Sequence, residues 1–290
     1  MNPLDNPEDL QALKTAVALL ESPSFTIRVA NMLGAPVEWA MDRLPDSAAK
    51  KIQEAIHAAL GKAVNGALRT MDGTSAGLAR PRTHTALVAA SGAVGGFFGL
   101  KGTLIELPLT TTIIMRSVAD IARSEGFSVK DPLIQGECVQ VFALGGRSAY
   151  DDAADSAYYA TRVGLTEFAK EAAKALAETA ARQAGRQAAQ ASAQSFQFTP
   201  AQAAAWLAQI IESVAQRFGI KVTEKFALQA APVLGAVSGA AINAMFISHY
   251  QDMARGHFTV RRLENKYGRT AVREAYATLQ AQLMDTIPSR

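Results

Sequence analysis

The sequence predicts an all-α protein, a single large helical domain of about ten helices around two glycine-rich apolar helices. Of its 290 residues, 49% are hydrophobic and only 7% are aromatic, and alanine is abundant, which favours close-packed helices over sheets. No segment shows the sustained alternation of a half-buried strand. A capping residue followed by proline, the signal that starts a helix, occurs at Asp131-Pro132 and at Thr199-Pro200.

The first third of the chain predicts four helices. Residues 7–20 carry leucine and valine at three- and four-residue spacing, and Ser22-Pro23 ends that helix. Short helical pieces are predicted at 25–32 and 37–41. Asp46 caps a longer helix, whose predicted inward positions are Ile52, Ile56, Ala59, Leu60, Ala63 and Leu68.

Residues 85–123 form the apolar centre of the sequence. Five glycines, Gly92, Gly95, Gly96, Gly99 and Gly102, lie among Ala, Val, Phe and Leu, and such small residues allow two backbones to approach closely. This pattern fits a core hairpin of a soluble helical protein or a pair of membrane helices. Pro108 either starts the helix that follows or kinks it from inside, and we favour the start because proline suits a first turn. Gly126 is predicted to end this helix.

The second half predicts longer helices. One runs from Pro132 through Leu144, and residues 165–197 form an Ala/Gln-rich helical extension of the single domain, which spans 1–290. A helix is predicted from Pro200 to Gly219, another from about Thr223 to Tyr267 with a kink at Pro232, and a last one over 270–284 after Gly268.

The net charge and the cysteine content indicate which partners the protein binds and which compartment it occupies. The net charge of +3 is too small to indicate nucleic acid, although the chain from Arg255 onward is mildly basic. A single cysteine, Cys138, excludes an intramolecular disulfide and fits a reducing compartment. The N-terminus lacks the basic start and apolar run of a signal peptide. We therefore expect a cytoplasmic protein, in contact with the inner face of the cytoplasmic membrane if it binds lipid.

A membrane span is the alternative for the second apolar helix. Residues 226–251 contain no formal charge if His249 is counted as neutral, and about 20 apolar residues suffice to span a bilayer. Polar residues such as Gln229, Asn243 and Ser248 dilute this run, so we expect burial inside the protein.

Both apolar helices carry a narrow polar stripe. At about 100° per residue, Glu106, Thr110, Ser117 and Asp120 share one side of the first helix, and Ser248, His249, Asp252 and Arg255 share one side of the second. Facing stripes would form either a buried ion-pair network that pairs Asp with Arg, or a polar-floored groove for an amphipathic ligand. The candidate ligand-binding residues are Glu106, Thr110, Arg116, Ser117, Asp120, Arg123, Ser248, His249, Asp252 and Arg255.

Other chemical motifs are weaker. Asp151, Asp152 and Asp155 form a DDxxD pattern, which fits either helix capping after Ser148 or a magnesium-diphosphate site. His249 and Asp252 share a helix face, as a hydrogen-bonded structural pair or as a metal or catalytic pair, whereas His257 points elsewhere. Cys138 lies in a predicted apolar helix, and we expect its thiol to be unreactive. We predict no catalytic residue, metal ligand or cofactor.

Four runs of the sequence resemble the bacterial EcsC family. They are MLGAPVEWAMDRLP (32–45), GTLIELPLTTTIIMRSVADIARSEG (102–126), GGRSAYDDAADSAYYATR (145–162) and GAVSGAAINAMFISHYQDMARGHFTVRRLE (235–264). The likeness covers about residues 32–267 and departs over 170–194. The family takes its name from a gene beside an ABC-transporter operon, and the resemblance implies no particular biochemical activity.

Three functions fit the sequence. We favour a non-enzymatic, membrane-peripheral protein that binds a lipid or another amphipathic ligand, because its helices are unusually apolar and its last ones are basic. The second is a metal-dependent enzyme acting on a phosphate- or diphosphate-bearing lipid through Asp151, Asp152 and Asp155. The third is a helical scaffold or regulator of a membrane transport or secretion system, which would use the Ala/Gln-rich extension for a protein partner or self-association.

Overall fold

The fold is all-α, as predicted. The computed structural model describes residues 3–23, 25–33, 41–42, 46–68, 71, 82–88, 99–145, 158–162, 199–230 and 236–285, and no strand occurs within these ranges. The helices are α1 (Pro7–Leu20), α2 (Phe25–Leu33), α3 (Asp46–Ala63), α4 (Gly99–Ser124), α5 (Pro132–Gln140), α6 (Pro200–Ala230), α7 (Ala236–Tyr267) and α8 (Arg269–Asp285). Shorter helical pieces are Pro3–Asp5, Val64–Leu68, 82–88, Val141–Ala143 and 158–162.

Local capping chemistry sets several helix ends. The Asn6 side chain accepts hydrogen bonds from the first turn of α1, and the Asp131 side chain accepts one from the Leu133 backbone at 2.9 Å. These bonds satisfy amides that a helix start leaves open. Gly126 (φ +89°) follows α4 and Gly268 (φ +86°) separates α7 from α8, a left-handed conformation that glycine adopts without strain. The predicted ends at these glycines are confirmed.

Pro108 does not start a helix. It is the tenth residue of α4, which already begins at Gly99. A proline in a helix interior removes one backbone hydrogen bond, and here the packing of α4 against α3 and α7 offsets that loss. The favoured helix start at Pro108 was therefore wrong by nine residues, and the alternative, a proline inside the helix, is the one observed.

Gly219 does not end a helix either. It lies inside α6, which continues to Ala230, so the predicted helix from Thr223 to Tyr267 is in fact the end of α6 and a separate α7. A Cβ atom on Gly219 would lie 2.1 Å from the Gln53 side chain. The glycine therefore leaves room for the Gln53 amide of α3, which donates to the Ala215 carbonyl of α6.

Helix α7 lies at the centre of the core. It packs against α1, α4 and α8, while α3 covers α4 and α6 crosses α3 and α5. An aromatic cluster fills the middle of the molecule, with ring centroids 5.0 to 6.2 Å apart, and consists of Phe25, Phe142, Phe218, Phe246 and Tyr250. Each such ring contributes about 1.5–3 kcal/mol through its burial.

Three helix termini meet at one end of the molecule. Helices α4 and α7 run parallel, because Glu106 contacts Asn243 and Ser117 contacts Gln251. Helix α6 runs antiparallel to α7, with Phe218 beside Tyr250 and Lys225 beside Phe246. The starts of α4 and α7 and the end of α6 therefore lie together. We call residues 99–105, 226–230 and 236–242 the apolar tip; Lys101 is its single charged residue.

Candidate functional site

The polar stripe of α4 faces α7, but its partners are not the residues we expected. Glu106 accepts hydrogen bonds from Thr110 Oγ1 at 2.9 Å and from the Asn243 amide. Ser117 accepts one from Gln251 Nε2 at 3.0 Å. Asn243 and Gln251 are eight residues apart and share one face of α7, a periodicity that could have identified them in the sequence.

Residues 82–88 lie where the ligand groove was expected. His84 Nε2 is 3.0 Å from an Asp120 carboxylate oxygen, and the Val88 carbonyl accepts a hydrogen bond from Asn243 at 3.3 Å. Between them, Thr85 contacts Gln251 at 3.3 Å. A segment of the chain itself thus covers the polar stripe of α4.

The remaining candidates on α4 divide between two neighbours. Arg123 pairs with Asp120 of its own helix at 3.5 Å, whereas Arg116 donates to the Gly66 carbonyl at 3.0 Å. Arg116 therefore stabilises the end of α3 and lies apart from the stripe.

The candidates on α7 face α2 and not α4. Asp252 pairs with Arg255 one turn away at 3.0 Å and lies 4.0 Å from Arg28 of α2. Ser248 and Arg255 are both half-buried. We expected each Asp to pair with the Arg of the other helix, and this was wrong. The ion pairs of Asp120 and Asp252 each include an arginine of the same helix. Arg28, which the sequence analysis missed, gives no local signal of this role.

His249 is the most constrained of the candidates. Its side chain is fully buried, and Arg28 Nη2 donates to Nδ1 at 3.3 Å. Because Nδ1 accepts, the ring proton of the neutral imidazole is on Nε2. Burial lowers the pKa of His249 well below its usual value, and the charges of Lys221 and Arg28 lower it further. His249 is thus a neutral hydrogen-bond donor through Nε2.

Lys221 of α6 lies against the same turn as the His249 ring. Its ammonium group donates to the carbonyls of Leu144 and Gly145. Gly145 has φ +79°, and a Cβ there would lie 2.7 Å from His249 Nε2. Burial lowers the pKa of Lys221 to about 7. Lys221 and His249 therefore flank Gly145 as two interior nitrogen donors.

Lys225, one turn further along α6, lies at the base of the apolar tip. Its ammonium group is buried and sits 4.8 Å from the centre of the Phe246 ring, within the range of a cation–π contact. Burial lowers its pKa to about 8, although the nearby Glu106 carboxylate opposes that shift. Lys225, Glu106 and Asn243 form a polar layer beneath the tip.

A second buried polar network joins α5, the segment 158–162 and α7. Arg162 binds Glu264 through two hydrogen bonds of 2.7 and 2.6 Å, and Arg261 binds Glu137. His257 lies between Tyr158 (3.0 Å) and Glu137 (3.3 Å). Two arginines and two glutamates balance in charge, so the network is suited to fixing helix positions. His257 points away from His249, as predicted.

The described part of the chain gives little support for a metal-binding site or for a reactive cysteine. Within it, no three His, Cys, Asp or Glu side chains are grouped closely enough to hold a metal ion. Cys138 is fully buried, and burial raises the pKa of its thiol. Asp151, Asp152 and Asp155, like the Ala/Gln-rich extension, lie outside the described residues.

Comparison with known proteins identifies a family. The model of the EcsC protein family matches residues 21–263, a range that includes α4 and α7 as far as Leu263, so that Glu264 of the second polar network lies just outside it. No curated protein and no solved structure matches the chain. Within the described residues, no helix is both long and apolar enough to span a membrane.

Proposed function

The chain belongs to the EcsC protein family, and we propose that it is a membrane-peripheral, non-enzymatic helical protein that binds a lipid or another amphipathic ligand. The apolar tip carries this proposal. We expect it to act at the inner face of the cytoplasmic membrane.

The depth of the apolar tip suits the membrane interface. Residues 99–105 and 236–242 each extend seven residues beyond the level of Glu106 and Asn243, which is about 10 Å at 1.5 Å per helical residue. Interfacial helices bury their apolar surface to about 5–10 Å in the boundary between headgroups and acyl chains. The polar layer of Lys225, Glu106 and Asn243 would mark the limit of insertion.

Exposed leucines lie next to the tip. Leu87 is 53% exposed and Leu109 is 55% exposed, and both lie near the level of Glu106, because Val88 contacts Asn243. Large apolar side chains exposed together are typical of surfaces that contact a protein or a membrane. Here the adjoining tip is almost free of charge, which favours a membrane.

Vesicle flotation tests this proposal. We expect the protein to float with vesicles of phosphatidylcholine and phosphatidylglycerol, and the double variant Leu87→Asp/Leu109→Asp to bind them roughly tenfold more weakly, as expected for loss of one or two buried leucines. Both leucines are exposed, so the core stays intact. Wild-type protein that stays unbound, or a variant that floats equally well, would contradict the proposal.

Leu133→Asp is the matched control. Leu133 is 51% exposed, and it lies at the opposite end of the molecule, since α5 runs antiparallel to α7 with Glu137 beside Arg261 and Leu144 near His249. We expect this variant to bind vesicles like the wild type. Solvent extraction of the detergent-free protein, followed by lipid analysis, would then identify any lipid that stays bound.

A further inference from the structure

We propose that the groove between α1 and α8 is a binding site for a free aliphatic carboxylate, a medium-chain fatty acid. The groove has a volume of about 210 Å³ and is lined by Lys14, Val17, Leu279, Gln282 and Leu283. It is separate from the apolar tip, and the inference does not depend on insertion of the tip into a membrane.

The floor of the groove is apolar. Val17 and Leu279 are 2% and 6% exposed, and Leu283 is half-buried against the same core. An engineered apolar cavity of about 150 Å³ binds benzene, so a groove of about 210 Å³ has room for a hydrocarbon chain. A methylene group is about as large as a water molecule, whose share of liquid volume is about 30 Å³. The groove therefore holds about seven carbons by the same measure, which is the length of the octanoate tail.

The mouth of the groove carries a lysine without an acidic neighbour. Lys14 and Gln282 are both exposed, and none of the residues that line the groove is acidic. No acid stands three or four positions from Lys14 along α1, the spacing of helical ion pairs, and Lys14 forms no ion pair with the residues that the structure describes. A carboxylate has two oxygens, one for the Lys14 ammonium group and one for the Gln282 amide. An acid therefore fits this mouth better than an alcohol or an amine does.

The groove lies far from the apolar tip. Helix α1 runs antiparallel to α7, because Asp9 contacts Lys266 and Leu20 lies against Gly256. The groove lies between these two contacts, which places it about 25 Å from the base of the tip at 1.5 Å per helical residue. A lipid in a bilayer at the tip would not reach it. The ligand is therefore a free acid that is short enough to dissolve in water.

Both helices of the groove lie outside the family match. The match covers residues 21–263, whereas α1 ends at Leu20 and α8 begins at Arg269. The site is therefore a feature of this chain that membership of the family does not describe.

Titration with octanoate, followed by amide NMR, tests the site. We expect saturable shifts of the Val17 and Leu283 amide signals below the concentration at which octanoate forms micelles. From butanoate through hexanoate to octanoate, the affinity should rise about fourfold for each methylene group that the groove buries. Octanol has a similar tail without the carboxylate, and it should bind at least roughly tenfold more weakly, the effect of losing one charged hydrogen bond.

Reversal of one charge provides the sharpest variant. Lys14→Glu should weaken the binding of octanoate at least roughly tenfold and should allow octylammonium to bind in its place. Lys14 is exposed, so the variant leaves the core intact. Lys50→Glu is the matched control, because Lys50 of α3 is also exposed and lies outside the groove. This control should bind octanoate like the wild type.

Two results would overturn the proposal. If octanoate shifts neither the Val17 nor the Leu283 signal of the wild type, the groove does not bind an acid. If Lys14→Glu binds octanoate as tightly as the wild type does, the binding is only adsorption to apolar surface. Leu87→Asp/Leu109→Asp should bind octanoate like the wild type, so failure of the tip and failure of this site are distinguishable.

Discussion

Arg162 and Glu264 form the best-defined buried ion pair in the described part of the molecule. Their two hydrogen bonds measure 2.7 and 2.6 Å, and the side chains are 10% and 2% exposed. Arg162→Met should lower the free energy of unfolding by about 3–5 kcal/mol, because it leaves a buried carboxylate without its main partner. Urea denaturation followed by circular dichroism measures this loss.

The double variant Arg162→Met/Glu264→Leu provides the control for that prediction. Removing both charges should recover part of the stability, since no uncompensated charge remains. A double variant whose loss equals the sum of the two single losses would contradict the pairing.

Two helical glycines should respond to alanine in opposite directions. A Cβ on Gly136 of α5 would lie 2.2 Å from the buried Trp206 ring, whereas a Cβ on Gly61 of α3 meets no atom within 4 Å. Gly136→Ala should therefore destabilise the protein by about 1–3 kcal/mol through overpacking. Gly61→Ala should stabilise it by about 0.5–1 kcal/mol through helix propensity. Thermal melting of both variants checks the signs, and equal shifts would refute the packing argument.

Acid should destabilise the protein in two steps. Burial lowers the pKa of His249 and of His257 below the usual value, so the unfolded chain gains protons that the folded one does not, and stability falls as the pH drops below about 6.5. Burial alone would raise the pKa of Glu137, but hydrogen bonds from His257 and Arg261 lower it to about 2. The stability contributed by Glu137 is therefore present above pH 4.5 and is lost as the pH falls towards 2.

Urea midpoints measured from pH 7 to pH 3 test this dependence. Glu137→Gln should be less stable than the wild type at pH 7, and the difference should shrink below pH 4.5, where the unfolded wild type takes up a proton. A constant difference over this range would show that Glu137 does not carry the acid sensitivity.

Local chemistry made much of the fold predictable. Asn6 and Asp131 cap helices through atoms two or three residues away, and Gly126 and Gly268 end or separate helices through their own backbone conformation. Such signals are complete within a short window of sequence. The predicted bounds of α1 are confirmed, and α2 ends one residue later than predicted.

Contacts between distant segments of the chain explain the features that the sequence did not predict. Gly219 was predicted to end a helix, yet it lies inside α6 with the Gln53 side chain of α3 packed against it. His249 and Asp252 were predicted to share one face of α7, but only the packing of α2 shows that Arg28 lies beside both. A sequence pattern gives the faces of a helix, whereas the element that covers each face is fixed by the tertiary structure.

The packing of α1 against α7 and α8 has a consequence for synthesis. Leu13, Val17 and Leu20 are buried in the core, and Asp9 binds Lys266 and Tyr267 near the end of α7. At roughly 5–20 residues per second, a ribosome completes α7 some 12–50 s after α1. During that time the apolar face of α1 has no native partner to cover it. We therefore expect a chaperone to bind the nascent chain.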